Sequence, residues 1–305
     1  MSSEIYAVMV TYNPEIEPLS RVIKSLLGQT DEIIIVDNGS KNINEIGKAL
    51  EGSQIKLIKL PENKGIATAQ NEGIAYADAQ HAKYILLMDQ DTVIPEGAVL
   101  SLYENCKALE QSGAKIGAIG CAYRDTNSGQ INKSWKAEGR KLLKQQTNPE
   151  KEPIVEVDFV IASGSLIPVS TLKDIGMMED DLFIDLVDVE WGLRAKFHGY
   201  QSYQCFTHIM EHTLGNARQK LPWTSVALHS PIRNYYSIRN SISLAKRNYI
   251  GCAWRQHYSK RVFLYFIVFG FFPGQKWSRI RFMMRGISDG IYNKNGPYHG
   301  EQPIK

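Results

Sequence analysis

Short apolar runs alternate with segments of helical spacing through the first third of the chain. Ile5 to Val10 is an apolar run that stops at Thr11-Tyr12-Asn13-Pro14, which predicts a buried strand entering a turn. Leu19, Val22, Ile23, Leu26 and Leu27 recur at the period of one helix face. Glu32 to Val36 (EIIIV) predicts a second strand, closed by Asp37-Asn38-Gly39-Ser40. Ile55 to Leu60 predicts a third strand, Gly65 to Ala77 an alanine-rich helix, and Tyr84 to Met88 (YILLM) a fourth strand running into Asp89. Strands that are apolar almost throughout and separated by helices imply an α/β fold with a mostly parallel sheet covered on both faces. Ligands of such sheets bind beyond the carboxyl ends of the strands. Thr11-Tyr12-Asn13, Asp37-Asn38 and Asp89-Gln90-Asp91 all follow strand ends, so they are expected to meet in one cleft.

Beyond this the pattern changes. Asp125 to Glu152 is polar and lysine-rich, and predicts a surface excursion or mobile loop. Val155 to Pro168 returns to strand character, and Phe183 to Gly199 predicts a helix carrying Asp185, Asp188, Glu190 and Arg194. Pro231 to Arg247 predicts an amphipathic helix. Val262 to Phe272 (VFLYFIVFGFF) is strongly apolar but too short to span a bilayer, with Arg255, Lys260 and Arg261 before it and Lys276, Arg279, Arg281 and Arg285 after it. No internal repeat or low-complexity tract is present.

Composition narrows the class. A chain of 305 residues with 43% hydrophobic and 22% charged residues suits one large domain or one domain with an appendage, and its core needs no covalent staples. A net charge of +3 is too small to argue for nucleic acid, and none is expected as a partner. Cys106, Cys121, Cys205 and Cys252 form no C-x-x-C pair and read as reduced thiols, mostly buried, in a cytosolic protein. The opening MSSEIYAVMVTYNP lacks a basic region and a long apolar stretch, so no signal peptide is expected.

Two carboxylates one residue apart at a strand end, Asp89 and Asp91, can share a divalent cation with a diphosphate, because Mg²⁺ and Mn²⁺ take oxygen ligands from one or two carboxylates plus phosphates. A lone D-x-D is also a common solvated turn. Asp37 can accept hydrogen bonds from a nucleobase or ribose, or cap its own turn. Gly65, at a helix start, lets backbone approach a ligand closely, or is an ordinary cap residue. Asp188 can take a proton from an acceptor hydroxyl, or lie on a polar helix face. Glu190 and Arg194 form an i,i+4 pair that steadies their helix.

The ordered set MVTYNP, VDNGS, ENKGIATAQN, LLMDQDT, ASGSLIP and FIDLVDVEWGLRAKFHGY resembles the family 2 glycosyltransferases, and more narrowly bacterial rhamnosyltransferases of O-antigen and capsular polysaccharide synthesis. The segments His212-Thr213-Leu214-Gly215 and Tyr235-Tyr236-Ser237-Ile238-Arg239-Asn240 resemble that subgroup too, so the likeness runs from about Ile5 to Arg247. It implies the GT-A fold, a Rossmann-like nucleotide-diphospho-sugar transferase. A catalytic domain at 1–215 would have a nucleotide-sugar half to about 125 and an acceptor half beyond, followed by a helical region at 216–305. It implies Thr11, Tyr12 and Asp37 at the nucleoside, Lys64 and Gly65 near the nucleotide, and Asp89 at ribose or metal-bound water. Asp91 would ligate a divalent cation, Mg²⁺ or Mn²⁺, with His212 a further metal or diphosphate contact; Arg239 would neutralise the leaving diphosphate. The last two residue types equally fit a structural histidine and a helix arginine. Asp188 would be the base of an inverting displacement; many relatives have Glu-Asp where this chain has Val187-Asp188, which leaves Asp185 as the other choice. The Gln-x-x-Arg-Trp signature of processive synthases is absent, which points to one sugar or very few per binding event.

The implied partners are dTDP-L-rhamnose and a lipid-diphosphate-linked saccharide, with UDP-galactofuranose, UDP-glucose and UDP-N-acetylglucosamine as other donors. A nucleotidyltransferase is the rival from another class, but it would carry a Gly-rich, basic loop where Thr11-Tyr12-Asn13-Pro14 stands. A membrane-bound scaffold retaining an inactive transferase fold is the non-enzymatic rival; the presence of both Asp91 and Asp188 argues against it. The aromatic run Val262 to Phe272 with its basic flanks suits the interface of an anionic membrane, the expected location being peripheral on the cytoplasmic face. A core helix or a homodimer contact would use the same residues.

Overall fold

The structure, a computed structural model, describes residues 4–51, 55–126, 129–145, 152–212, 218–220, 225–272 and 274–300, without the side chains of 212, 218–220 and 225–227. The first half alternates as the apolar pattern requires: β1 (Ile5–Thr11), α1 (Ile16–Leu26), β2 (Glu32–Asp37), α2 (Ile43–Ala49), β3 (Ile55–Lys59), α3 (Ile66–Ala79), β4 (Tyr84–Asp89), α4 (Ala98–Gln111) and β5 (Ile116–Asp125). A hairpin of β6 (Ser134–Glu138) and β7 (Lys141–Gln145) follows, then β8 (Ile154–Val157), β9 (Ser165–Pro168), α5 (Val169–Ile175), a 3-10 turn (Asp180–Leu182), α6 (Val187–Phe197) and β10 (Gln201–His212). The short strands β11 (Arg218–Lys220) and β12 (Ser225–Ala227) precede three helices, α7 (Pro231–Lys246), α8 (Cys252–Phe271) and α9 (Lys276–Ile291).

Eight strands form the main sheet in the order β3-β2-β1-β4-β9-β5-β10-β8. The pairs β1–β2, β2–β3, β1–β4 and β5–β10 are parallel; β9 runs antiparallel between β4 and β5, and β8 antiparallel to β10. Side chains of a strand alternate between faces. Ala7, Met9, Ile33 and Ile35 accordingly meet Leu19, Val22 and Leu26 of α1 and Val99 and Leu102 of α4. Val8, Ile34 and Val36 meet Ala69 and Ile74 of α3, with Trp191 and Leu193 of α6 in the same cluster. Both faces are buried, which is why the strands read as unbroken apolar runs, each such side chain contributing about 1.5–3 kcal/mol. Gly73 brings α3 down onto the sheet: a Cβ there would lie 2.4 Å from Val8 Cγ1, so a bulky residue would lift the helix off.

Three expectations need correction. Residues 125–152, expected as a loose excursion, contain the β6–β7 hairpin, whose Trp135 and Leu142 pack against the core. The helix expected from Phe183 begins only at Val187. Phe183, Asp185 and Leu186 have positive φ (62°, 67° and 65°), a conformation no α-helix tolerates. Helix α7, expected to be amphipathic, is buried almost all round, including Asn234, Tyr235, Ser237, Arg239, Asn240 and Leu244. It lies between α8, α9 and the segment that precedes α6.

Helix α8 divides along its length. Trp254 and Tyr258 enter the main core, where Trp254 Nε1 donates to Asp158 Oδ2 at 2.6 Å. Further on Phe269 is buried against Ile238 and Met283, while Phe263, Leu264, Ile267 and Phe271 face outward. No helix among the described residues is long and apolar enough to cross a membrane. Cys106, Cys121 and Cys205 are buried, Cys252 is exposed, and all four are free thiols.

Candidate active site

The parallel register places the polar clusters together. Thr11 pairs with Asp37 across β1 and β2, and Val10 with Asp89 across β1 and β4, so all three clusters emerge at one edge of the sheet. Thr11 and Asp37 are fully buried; Thr11 Oγ1 donates to Asp37 Oδ1 at 3.1 Å, and the Ser40 N–H donates to Asp37 Oδ2 at 2.9 Å. Asp37 therefore caps its own turn and sits at the strand end as well. Tyr12 is 46% exposed, its ring free to lie against a ligand, while its N–H donates to Gln90 Oε1 at 2.8 Å. That bond joins the first cluster to Asp89-Gln90-Asp91.

The loop around Lys64 interlocks with the turn after β2. Lys64 N donates to Asn38 Oδ1 at 2.8 Å, and Asn38 Nδ2 donates to Asn63 Oδ1 at 3.1 Å, leaving the Lys64 side chain exposed. Gly65 has φ +89°, and a Cβ there would lie 2.5 Å from the Phe183 carbonyl oxygen. Ile66 N, at the start of α3, donates to that same oxygen at 2.7 Å. The chain that approaches Gly65 is thus the Phe183 backbone, and the first amide of α3 is already paired.

Asp89, Asp91, Asp185 and Asp188 supply the charge of the cleft. Asp89 is half-buried, its N–H donating to Ser163 Oγ at 3.1 Å; Asp91 is exposed. Burial, with Asp91 and Asp188 adding negative charge, raises the Asp89 pKa to about 7, and Arg233 opposes the shift. Asp188 enters in the first turn of α6 and accepts from the Val189 N–H at 2.9 Å. Its pKa is raised by burial, against the pull of the Val189 and Ala162 amides, with a further push from Asp185. A carboxylate whose pKa is raised is a stronger proton acceptor than one in water. Asp185 is held instead by Arg233, whose Nε and Nη2 donate to Asp185 Oδ1 at 3.1 and 2.9 Å. Ser237 Oγ donates to the other oxygen at 3.4 Å. Asp185 is thereby tied to the start of α7.

The Asp89 carboxylate, pushed toward neutrality by burial and by the charges of Asp91 and Asp188, is what a divalent cation would relieve, so its surroundings fit one. Among the described residues no three His, Cys, Asp or Glu side chains group closely enough to hold a metal by themselves. An ion at Asp91 would therefore complete its shell with water and the phosphates of a ligand. The side chain of His212 lies outside the described residues; its backbone closes β10.

Arg239 departs from expectation. It is 0% exposed, and its Nη2 donates to the carbonyls of Asp181 and Leu182 at 3.0 and 2.8 Å, its Nη1 to that of Gly296, and its Nε to Asn240 Oδ1 at 2.9 Å. With every arm committed to the protein's own backbone and Asn240, it has nothing to offer a diphosphate. The cation that does face the acids is Arg233, at the start of α7. One signal for it was present: no Asp or Glu lies within four residues of Arg233, so its partner had to come from elsewhere in the fold.

Glu190 and Arg194 pair as their spacing predicts, at 2.8 Å, inside a larger network. The fully buried Glu190 also accepts from Arg247 Nη1 at 3.4 Å and Tyr249 Oη at 2.5 Å. This network ties α6 to the segment that joins α7 to α8.

Known proteins share this fold and much of this sequence. The chain is 32% identical over 250 residues to the dTDP-rhamnosyl transferase RfbF of Shigella flexneri, covering 82% of each chain. It is 25% identical over 227 residues to a poly-beta-1,6-N-acetyl-D-glucosamine synthase of Staphylococcus aureus, matching 72% of this chain but about half (53%) of that one. Its fold is that of S. aureus TarS 1-349 solved in complex with UDP-GlcNAc: TM-score 0.58 at 16% identity, over 94% of this chain and 80% of that one. The same protein in complex with UDP gives a TM-score of 0.54 at 15% identity, over 88% and 74% of the two chains. The fold is GT-A, and residues 6–174 match the family model for glycosyl transferase family 2. By the family model and the relatives that match it, the chain belongs to glycosyl transferase family 2 and is a glycosyltransferase.

Proposed function

We propose that the enzyme transfers L-rhamnose from dTDP-L-rhamnose to a lipid-linked saccharide, with inversion, in bacterial surface polysaccharide synthesis. The observation that supports the chemistry is the meeting of Asp89, Asp91 and Asp188 at the carboxyl edge of the sheet, beside Thr11 and Asp37. The donor is inferred from the likeness to the Shigella flexneri dTDP-rhamnosyl transferase. Thr11, Tyr12 and Asp37 receive the nucleoside, with Lys64 and Gly65 beside it. Asp188 takes the proton from the acceptor hydroxyl as its oxygen bonds to the anomeric carbon and the bond from that carbon to the diphosphate oxygen breaks. Asp91 would hold a divalent cation, with Asp89 behind it at ribose or metal-bound water. When bound, the cation offsets charge on the departing diphosphate.

The exposed apolar face of α8 and α9 supports membrane contact. Phe263 is 67% exposed, Phe271 63% and Trp277 84%, near exposed Lys260, Lys276 and Arg281. Aromatic side chains beside lysine and arginine suit an anionic lipid interface, which would bring the cleft to an acceptor carried on lipid diphosphate at the cytoplasmic face. Arg279, counted with these cations in the sequence, is buried and hydrogen-bonded to Gly274, Asn234 and His229, so it takes no part. A homodimer through the same face is the competing use.

The donor is tested by thermal stabilisation with dTDP-rhamnose, UDP-glucose, UDP-galactofuranose and UDP-N-acetylglucosamine, each with Mg²⁺ or Mn²⁺. Selective stabilisation by a UDP-sugar would overturn the rhamnose assignment. Asp188→Asn should abolish transfer and leave donor binding intact; near-normal turnover would remove Asp188 from the base role.

A further inference from the structure

The pair Arg239-Asn240 stands out in the sequence, yet it meets the residues around the cleft only through their backbone carbonyls. We infer that it is a positioning device for the segment that carries Asp185 and delivers Asp188, and the inference rests on Asp188 being the base. Asn240 Nδ2 donates to the carbonyls of Leu182, Ile184 and Asp185 at 3.0, 2.7 and 2.8 Å. Arg239 Nη2 holds those of Asp181 and Leu182, and its Nε holds the Asn240 side-chain oxygen, which aims the Asn240 amide at its three acceptors. Both side chains are 0% exposed, and among the described residues no carboxylate lies within ion-pair distance of Arg239. Its charge is met by carbonyl dipoles and by the faces of Tyr235 and Tyr236, with ring centres 5.4 and 5.0 Å away. Burying a guanidinium without an acid is costly, and packing alone would be served by an apolar side chain.

The held segment explains the need. Phe183, Asp185 and Leu186 stand at positive φ, a conformation that persists only where the surroundings over-determine it. On one side the segment is pinned by Ile66 N and the missing side chain of Gly65; on the other it is pinned by Arg239 and Asn240. Two residues past its end stands Asp188. The C-terminal stretch joins the same clamp: Gly296 N donates to the Asp181 carbonyl at 2.7 Å, and Arg239 Nη1 donates to the Gly296 carbonyl. The strained segment is thereby fixed from the start of α3, from α7 and from the stretch after α9 together.

The test is Asn240→Ala, read by steady-state kinetics, by binding of the nucleoside diphosphate, and by hydrogen exchange of residues 182–188. A misplaced base should lower kcat by about 10²-fold. Affinity for the nucleoside diphosphate should hold, and amides 182–188 should exchange faster. Unchanged kcat, unchanged exchange, or loss of kcat and nucleotide affinity together would each overturn the proposal. If Asn240→Ala does not fold, Arg239→Lys carries the test, since one ammonium cannot span the carbonyls a guanidinium reaches. Asp188→Asn run alongside separates the two readings. If it stays active the base assignment fails; if it is dead while the clamp variants turn over normally, the clamp alone fails.

Discussion

Removing the charge of Asp89 should stabilise the protein by an amount that grows from about pH 4 to about pH 7 and is constant above. Burial and the carboxylates of Asp91 and Asp188 raise its pKa from 3.8 to about 7. An acid with a higher pKa folded than unfolded keeps its proton in the native state over that interval, while the unfolded chain has lost it. Its contribution to stability therefore declines as pH rises from about 4 to about 7, and is level beyond. About three units at 1.36 kcal/mol each make the ionised Asp89 a load of about 4 kcal/mol at pH 8. With an unfolding entropy of about 2.1 cal/mol/K per residue over 305 residues, this is roughly 6 °C in Tm. In EDTA, Asp89→Asn should melt about that much above the wild type at pH 8, and the two should converge near pH 4. Adding Mg²⁺ or Mn²⁺ should raise the wild type more than the variant, because the cation relieves the same repulsion. Scanning fluorimetry from pH 4 to 9 measures all of this. An Asp89→Asn protein that melts at or below the wild type at pH 8 would refute the picture of a cleft crowded with carboxylates.

Two further outcomes follow from packing and exposure. Glu190→Gln leaves two guanidiniums around a fully buried position, at a cost of about 3 kcal/mol or roughly 5 °C in Tm, discounted for the partial exposure of Arg194 and Arg247. Asp78→Asn, which breaks the exposed pair with Lys173, should cost under about 1 kcal/mol; equal shifts would contradict the network's role. Phe263→Ser with Phe271→Ser removes two outward phenyl groups worth up to about 2 kcal/mol each, so flotation with anionic liposomes should weaken at least tenfold. If flotation is unchanged and the variant turns from dimer to monomer, the face belongs to a second copy of the chain.

What could be read in advance follows from range. The parallel strands were legible because both their faces are buried, and the clusters after them because a parallel sheet sends all its carboxyl ends one way. Asp37 and Asp89 needed nothing more to be placed at that edge, whereas Asp188, in the first turn of α6, was singled out by the resemblance alone. Arg239 misled because an arginine in a helix reads the same whether its partners are phosphates or carbonyls; only the fold reveals Asp181, Leu182 and Gly296 around it. The polar residues of α7 suggested a wet face, yet Asn234 and Asn240 find partners 45 or more positions away, at Arg279 and at Leu182 to Asp185. The late start of α6 was hidden for a similar reason. Nothing local forces Phe183 or Leu186 to positive φ; contacts with Gly65 and α7 do. The hairpin over 134–145 has few apolar residues, and its Trp135 and Leu142 are too sparse to show a period.

Helix α8 has one end planted and the other bare. Trp254 and Tyr258 are locked into the core beside Asp158, while Phe263 and Phe271 stand outside, five and thirteen residues further along one rigid rod. At 1.5 Å per residue the outward aromatics begin roughly 8 Å beyond Tyr258 and reach to roughly 20 Å. A lipid surface gripping that end would hold the cleft at a set height and tilt, so α8 would act as a spacer between bilayer and chemistry. The saccharide would then be chosen partly by reach: acceptors whose terminal hydroxyl stands at that height meet Asp188, and shorter or longer ones pass it by.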